Sequence, residues 1–274
     1  MLNYIKSECY RISHQPTLYV TTGILCALSI SVISFLAFFN WKAYDFDLAY
    51  TGFAYSWPIS APSLYLFMAA IIPASIYSCV HKYGDVKNTI AGGLSRVQVF
   101  AGKCITSLLA ATIVMIIVLA VWIASTELLL EPGGPFTARD LLLEVPAVYL
   151  IAVANVITVQ LFYELFKREL LVAFAWAAIW LILPTVLFSF GMQFDVLANI
   201  ANWMPYQFLK NAIEIHTITG GKLLNSAWQI TVAEQIDSVL WYTNEGLFKC
   251  LLSGTIGVAV FSLSGWLLLR HRDL

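Results

Sequence analysis

Few residues in this 274-residue sequence stand at the spacings that catalytic motifs require. A phosphate-binding loop needs G-x-x-x-x-G-K-[ST]. The two Gly-Lys pairs, at 102–103 and 221–222, instead have Val97 and His216 where the first glycine must stand. The sequences H-E-x-x-H and G-x-S-x-G do not occur, and the four histidines lie far apart. The sequence therefore predicts no catalytic residue, no metal site and no cofactor site on this chain.

The cysteines do not suggest a disulfide framework or a metal site either. They are scattered through apolar segments or lie near the N-terminus, and no two of them form C-x-x-C or cluster in a loop. We interpret them as small apolar side chains: Cys9, Cys26, Cys79, Cys104 and Cys250.

Polar residues within the long apolar segments are the next candidates, because in a membrane such residues mark ion or substrate pathways. Asn155 and Gln160 lie in the fourth apolar segment, and Glu164 near its inner end is the closest approach to a buried charge. Mutual pairing at the membrane surface within the charged turn 164–169 is the simpler interpretation. The alternative is an ion site at Glu164.

Prolines and small residues give a second set of candidates for a pathway or a helix interface. Pro73 and Pro184 interrupt apolar segments, and a proline inside a helix removes a backbone hydrogen bond and favours a kink. Kinked helices can line a pathway, but proline is also common in membrane helices generally. Ser253 and Gly257, with Gly254 beside them, have the small-xxx-small spacing that allows two helices to approach closely.

The composition determines the environment in which all these residues lie. Sixty per cent of the residues are hydrophobic, 11% are charged, the net charge is −1 and the mean hydropathy is +0.79. A soluble domain has about 25% charged residues, and about 20 consecutive apolar residues span a bilayer. We therefore predict an all-α integral membrane protein with no nucleic-acid partner. Its six expected spans are 18–39, 63–80, 104–125, 147–166, 170–190 and 247–269.

The charge distribution predicts the orientation. Lysine and arginine are in excess on the side that holds the N-terminus, which places both termini in the cytoplasm. Residues 1–16 have the spacing of an amphipathic interfacial helix, with a plain cytoplasmic tail as the alternative. The extracellular segment 191–246 is too long for a bare loop and is expected to contain short helices, one of which could be re-entrant.

The most specific pattern is a polar segment between the second and third spans, residues 81–103. Asp85 can cap a short helix over 83–92, and Gly92-Gly93 can end it. A short, stiff helix held at the inner membrane surface by two spans is suited to docking on a soluble partner.

This segment resembles the inner loop of ABC-2 type permeases, the membrane subunits of ATP-binding-cassette exporters. In that family K-N-T-[IL]-x-x-G-x-[SP]-R is followed by an apolar stretch and G-K before the third span. The sequence supplies, in that order, Lys87, Asn88, Thr89, Ile90, Gly93, Ser95, Arg96, Gly102 and Lys103. The resemblance extends to the interfacial N-terminal helix, the six spans and the extended segment before the last span.

The resemblance implies a coupling helix that docks on a separate ATP-binding-cassette ATPase. That ATPase would bind ATP and Mg, and two copies of it would serve two permeases, expected to be a homodimer in a bacterial plasma membrane. The coupling contacts would come from Asp85, Val86, Thr89, Ile90, Leu94 and Arg96.

The cargo expected from the resemblance is an amphipathic peptide, or a lipid-like or antibiotic compound. Small permeases of this family often handle such peptides, and the nearly uncharged spans and the aromatic outer loop suit such a cargo better than a small ion. Two other classes remain open: an ion-coupled secondary transporter using Glu164, and a membrane scaffold or sensor that transports nothing.

Overall fold

The structure, a computed structural model, is almost entirely helical in the residues that it describes. The described residues are 1–42, 50–60, 63–77, 93–134, 136–166, 168–191, 193–210 and 244–270. Within them the only β pairing is an isolated bridge between Tyr50 and Glu131. The predicted all-α membrane fold is confirmed.

The described residues form ten helices. They are α1 (Leu2–Ser13), α2 (Pro16–Lys42), α3 (Thr51–Ser60), α4 (Ser63–Tyr77), α5 (Arg96–Leu129), α6 (Ala138–Leu165), α7 (Glu169–Gly191), α8 (Asp195–Asn202), α9 (Pro205–Lys210) and α10 (Asn244–Arg270). Within α7 the residues Ala178–Ile182 form one π-helical turn.

Five described helices, α2, α5, α6, α7 and α10, are long and apolar enough to cross a membrane. Helices α3 and α4 make a sixth span if they are counted together. This span would be broken, because the axes of the two helices differ by 70°. The protein is therefore a multi-pass membrane protein. Residues 78–80, the end of the predicted second span, lie outside the described residues.

Helix α6 is central, since α3, α4, α5, α7 and α10 all pack against it. Its most extensive contact is with α10, where Gly254 meets Leu150 and Gly257 meets Ala154. Because the two contacts follow the same order along both helices, α6 and α10 run in the same direction. This matches the predicted topology, in which both enter from the side that holds 191–246.

Three element boundaries differ from the sequence expectation. Helix α6 begins at Ala138, well before the expected Ala147, because Asp140 accepts hydrogen bonds from both the backbone N–H and the hydroxyl of Thr137. Helix α5 begins at Arg96 and runs without a break into its span. The expected outer loop 40–62 contains α3, whose Tyr55 hydroxyl donates to Glu127 Oε1 at 2.6 Å.

The segment after α7 folds back into the bundle. Gly191 lies against Ala198, where any Cβ on residue 191 would be 2.6 Å from the Ala198 backbone, so α8 returns along the end of α7. Helix α9 follows and buries Leu209 in the same core as Tyr65 and Ile151. Residues 211–243, the rest of the expected extracellular helical segment, lie outside the described residues.

Candidate functional site

The predicted coupling helix 83–92 lies outside the described residues, and the chain is described up to Tyr77 before it and from Gly93 after it. Asp85, Val86, Thr89 and Ile90 belong to the part not described, whereas Leu94 is half-buried and Arg96 is the first residue of α5. The site is therefore built from the two flanks that hold this segment.

The second half of the resemblance motif starts helix α5. Gly93 has φ +90°, a left-handed conformation that glycine adopts without strain. Ser95 Oγ then accepts from the backbone N–H of Gln98 at 3.2 Å, while Gln98 Oε1 accepts from the backbone N–H of Ser95 at 3.0 Å. This reciprocal cap satisfies two donors at the helix N-terminus. Ser95 therefore has a structural role of its own.

Gly102 of the motif is a docking point for α1. A Cβ on residue 102 would lie 2.7 Å from the ring of Tyr4, so only glycine permits this contact. Burial, reinforced by Glu8, raises the pKa of the Tyr4 phenol far above its ordinary value, so the ring stays neutral. Helix α1 is thus packed on the bundle through a neutral aromatic side chain.

Lys103, the next motif residue, forms a buried ion pair with Glu164 on α6. The Lys103 Nζ to Glu164 Oε1 distance is 2.5 Å, and the lysine side chain is 3% exposed. Glu164 therefore has a partner on another helix, a contact that the sequence interpretation did not include. The two charges compensate each other, so the buried lysine is not left without a counter-ion.

Tyr77, the last residue of α4, joins the same cluster. Its ring has Lys103 Nζ at 5.5 Å and the Arg11 guanidinium at 5.4 Å from its centroid, both within cation–π range. Its hydroxyl and that of Thr106 on α5 are 3.2 Å apart. Gln15 Nε2 donates to the Ile76 carbonyl at 3.0 Å. The end of α4 is therefore tied to α1 and α5 just before the segment 78–92.

Asn155 is a junction between three helices. Its amide N–H donates to the carbonyl of Leu66 on α4, and its Oδ1 accepts from the indole of Trp176 on α7 at 2.5 Å. The residue is completely buried, and both contacts are satisfied within the protein. Asn155 thus acts as a helix-interface residue.

Gln160 and Pro73 lie elsewhere in the packed interior. Gln160 is completely buried, and neither of its amide atoms has a hydrogen-bond partner among the described residues. Pro73 is buried in the core that α4 forms with α5 and α6. Neither residue lines the apolar cavity described next.

Pro184, Ser253 and Gly257 are brought together around one cavity of about 330 Å³ between α7, α8, α9 and α10. The π-helical turn of α7 contributes Trp180 to its wall, and α8 leads into Trp203 at its edge. Single π-turns inside α-helices occur frequently at functional sites. Ser253 faces this cavity, whereas Gly254 and Gly257 make the close contacts with α6.

Glu144 is the functional candidate that the sequence interpretation missed. It was expected in an outer loop, but it lies in α6, completely buried, with the Tyr65 hydroxyl 3.4 Å from Oε2. Its other oxygen, Oε1, has no partner among the described residues. Glu144, Val148, Ile151 and Asn155 are all buried at helical spacing, and this stripe is the signal that would have revealed Glu144.

Comparison of the chain with protein-family models, with curated proteins and with solved structures finds no match.

Proposed function

We propose that the chain is the permease subunit of an ATP-driven exporter of the ABC-2 type, with ATP hydrolysis on a separate subunit. The proposed complex contains two permeases and two ATPases in a bacterial plasma membrane. The observation that carries the proposal is a polar cluster that joins both flanks of residues 78–92. Its members are Arg11, Tyr77, Lys103, Thr106 and Glu164.

The cluster supports coupling because of what it connects. Tyr77 precedes the segment 78–92, and Lys103 lies in the helix that follows it. Through Lys103, Glu164, Arg11 and Thr106 these flanks contact α1, α5 and α6. Packed and ion-paired elements move together, so displacement of the segment by a partner would shift four helices as a unit.

The proposed cargo is an amphipathic peptide or a lipid-like compound. Long apolar helices with few interior charges suit a cargo that is itself soluble in the membrane. The apolar cavity beside Pro184 and Ser253 offers a place for such a molecule.

Deletion of the gene is expected to lower the tolerance of the cell to amphipathic peptides. Unchanged tolerance together with loss of export of a charged solute would overturn this part of the proposal.

The docking of an ATPase can be tested with the triple variant Asp85→Ala, Thr89→Ala and Arg96→Ala. Co-purification of an ATPase with the detergent-solubilised chain is expected to fall at least about tenfold, because truncating contact residues at an interface centre removes most of its binding energy. Mass spectrometry identifies the captured chain by its phosphate-binding-loop sequence, and nucleotide hydrolysis confirms its activity.

The matched control for this experiment is Arg139→Ala, an exposed arginine at the opposite end of the bundle. It should capture as much ATPase as the wild type, and both variants should elute as single species on gel filtration. Well-folded wild-type chain that brings no ATPase with or without nucleotide would contradict the proposal.

An ion-coupled transporter is the second candidate, and the buried carboxyl of Glu144 is the observation that favours it. In the described part of the chain no lysine or arginine forms an ion pair with this residue. An uncompensated carboxyl inside a membrane bundle is a default candidate for a proton or cation site.

The substitution Glu144→Gln separates the two candidates. Under the proposed function, ATP-driven export in liposomes is expected to stay within about twofold of wild type, because glutamine keeps the size and shape of the glutamate side chain. Gradient-driven transport without any ATPase, abolished by Glu144→Gln and kept by the exposed control Glu131→Gln, would favour the second candidate instead.

A further inference from the structure

Gln160, near the inner end of α6, is a buried polar side chain to which helix packing gives no partner. The side chain is completely buried, and neither its amide nitrogen nor its amide oxygen has a hydrogen-bond partner among the described residues. The amide group can donate two hydrogen bonds and accept two. The large majority of buried polar side-chain atoms have a partner, either in the protein or in ordered water. Gln160 is therefore a candidate binding site for a small hydrogen-bonding ligand.

The helical spacing of α6 directs Gln160 toward α5. Tyr149 lies about three helical turns before Gln160 and Glu164 about one turn after it, so the three side chains share one face of the helix. That face meets α5 at both ends. The hydroxyls of Tyr149 and Thr112 are 2.9 Å apart, and Glu164 pairs with Lys103. Gln160 lies between these two contacts and therefore faces α5 as well.

The turn of α5 that lies level with Gln160 is polar. The two helices are antiparallel, so Ser107, one turn after Lys103, is level with Gln160, one turn before Glu164. Ser107 is completely buried, and its hydroxyl donates to the carbonyl of Lys103 at 2.7 Å. A serine oxygen has two lone pairs, so a hydroxyl that donates in this way can still accept a hydrogen bond.

A third helix contributes to the same polar layer. The hydroxyl of Tyr77 on α4 is 3.2 Å from that of Thr106 and also interacts with Ser107. Gln160 makes no hydrogen bond to any of these three hydroxyls. Polar groups that face each other across more than 3.5 Å can be bridged by one water molecule, which costs little compared with a direct hydrogen bond.

We propose that an ordered water molecule is bound between α5 and α6, where it accepts from the amide N–H of Gln160 and donates to the hydroxyl oxygen of Ser107. A buried water makes about three hydrogen bonds, and the hydroxyl of Tyr77 supplies the third. At 1.5 Å per residue, Gln160 lies about 8 Å from Leu165, the last residue of α6, so water has a short path from the inner surface.

The site extends the polar cluster of the inner end one helical turn deeper into the bundle. A contact between α5 and α6 that runs through water can exchange its hydrogen bonds when the two helices move. The role of the site in transmitting the motion of residues 78–92 rests on the proposed export function, but the binding of water does not.

Hydroxyl-radical labelling by X-ray pulses tests the binding of water directly, because radicals formed from bound water oxidise the side chains beside it. The chain is used in nanodiscs without ATPase or ATP, and mass spectrometry locates the added oxygen. Tyr77 is expected to be labelled although its side chain is 1% exposed, and it should lose most of the label in Gln160→Leu. Gln160→Met, an unbranched apolar replacement of similar length, should give the same loss. Tyr65, a buried tyrosine of the same helix, is the internal control and should be labelled equally in all three proteins.

A double-mutant cycle tests the bridge to Ser107. Gln160→Leu and Ser107→Ala each remove one side of the bridge, so the second substitution should lower the thermal midpoint less when the first is already present. Thr112→Val is the matched control on α5, because its hydroxyl contacts Tyr149 instead. Its effect and that of Gln160→Leu should add, as they do for independent sites.

A wild-type chain without label at Tyr77, or a label that Gln160→Leu and Gln160→Met leave unchanged, would overturn the proposal. Additive effects of Gln160→Leu and Ser107→Ala would overturn it as well. Because no ATPase is present, these outcomes are independent of the co-purification experiment. A chain that captures its ATPase but shows no label at Tyr77 would leave the exporter standing and reject only the water site.

Discussion

Replacement of Glu164 by glutamine is expected to lower the free energy of unfolding by about 3–5 kcal/mol, because it leaves Lys103 buried without its counter-ion. The lysine is 3% exposed, and the carboxylate that compensates it is 2.5 Å away. The same change also loosens the cluster on Tyr77, whose ring contacts the lysine. Thermal unfolding of the purified protein in detergent, followed by loss of monodisperse protein on gel filtration, measures the effect.

Two further variants show whether the effect comes from the ion pair. Glu169→Gln lies five positions along the chain, is exposed, and is expected to change the stability by less than about 1 kcal/mol. The double variant Lys103→Met and Glu164→Leu removes both charges and should recover most of the lost stability, since apolar replacement of a buried pair is often neutral. Wild-type stability in Glu164→Gln would show that the pair contributes little.

This expectation changes how a transport defect in Glu164→Gln should be interpreted. The sequence left open that Glu164 carries an ion, and loss of transport would then identify an ion-coupled transporter. With Glu164 paired to a lysine 61 positions away, loss of transport would also follow from loss of the fold. Glu144 is the informative position for ion coupling.

The approximate positions of the spans could be predicted from the sequence, because each contains an unbroken apolar run. Only a helix satisfies its own backbone hydrogen bonds while it carries such a run through lipid. The ends were harder to predict, because charged residues at a helix start suggest a loop. The sequence expectation began this span at Ala147, although Asp140 caps the helix nine residues earlier at Ala138 and Glu144 is completely buried within it. Helix α3 was missed because its residues were assigned to the aromatic outer loop.

The site could be predicted in part. Asn155 was singled out because a polar residue inside a span can mark a pathway, but its partners are a backbone carbonyl on α4 and an indole on α7. Such contacts depend on how distant helices pack, and the local sequence does not encode them. Pro184, Ser253 and Gly257 were chosen for unrelated reasons, as a kink and as a small-residue pair. Only the folded arrangement places them around one cavity.

At the contact between α6 and α10, Gly254, which lies beside the predicted pair Ser253 and Gly257, is packed against the backbone of Leu150. A Cβ at this position would be 2.6 Å from the Leu150 Cβ and 2.9 Å from the Leu150 carbonyl carbon. Backbone atoms cannot move aside as the end of a side chain can. A larger residue must therefore push the two helices apart along the most extensive helix contact in the described structure.

Gly254→Leu is accordingly expected to destabilise the protein by about 3 kcal/mol or more, at the upper end of the cost of overpacking a close-packed interior. The matched control is Gly23→Leu in α2, where nothing lies within 4 Å of an added Cβ and the new side chain would face lipid. Both variants add the same apolar residue to a membrane helix, so they differ only in the space available. The yield and the thermal midpoint of each purified variant measure the difference. If Gly254→Leu proved as stable as Gly23→Leu, α10 would not be held against α6 at this distance, and the parallel arrangement of the two helices would have to be abandoned.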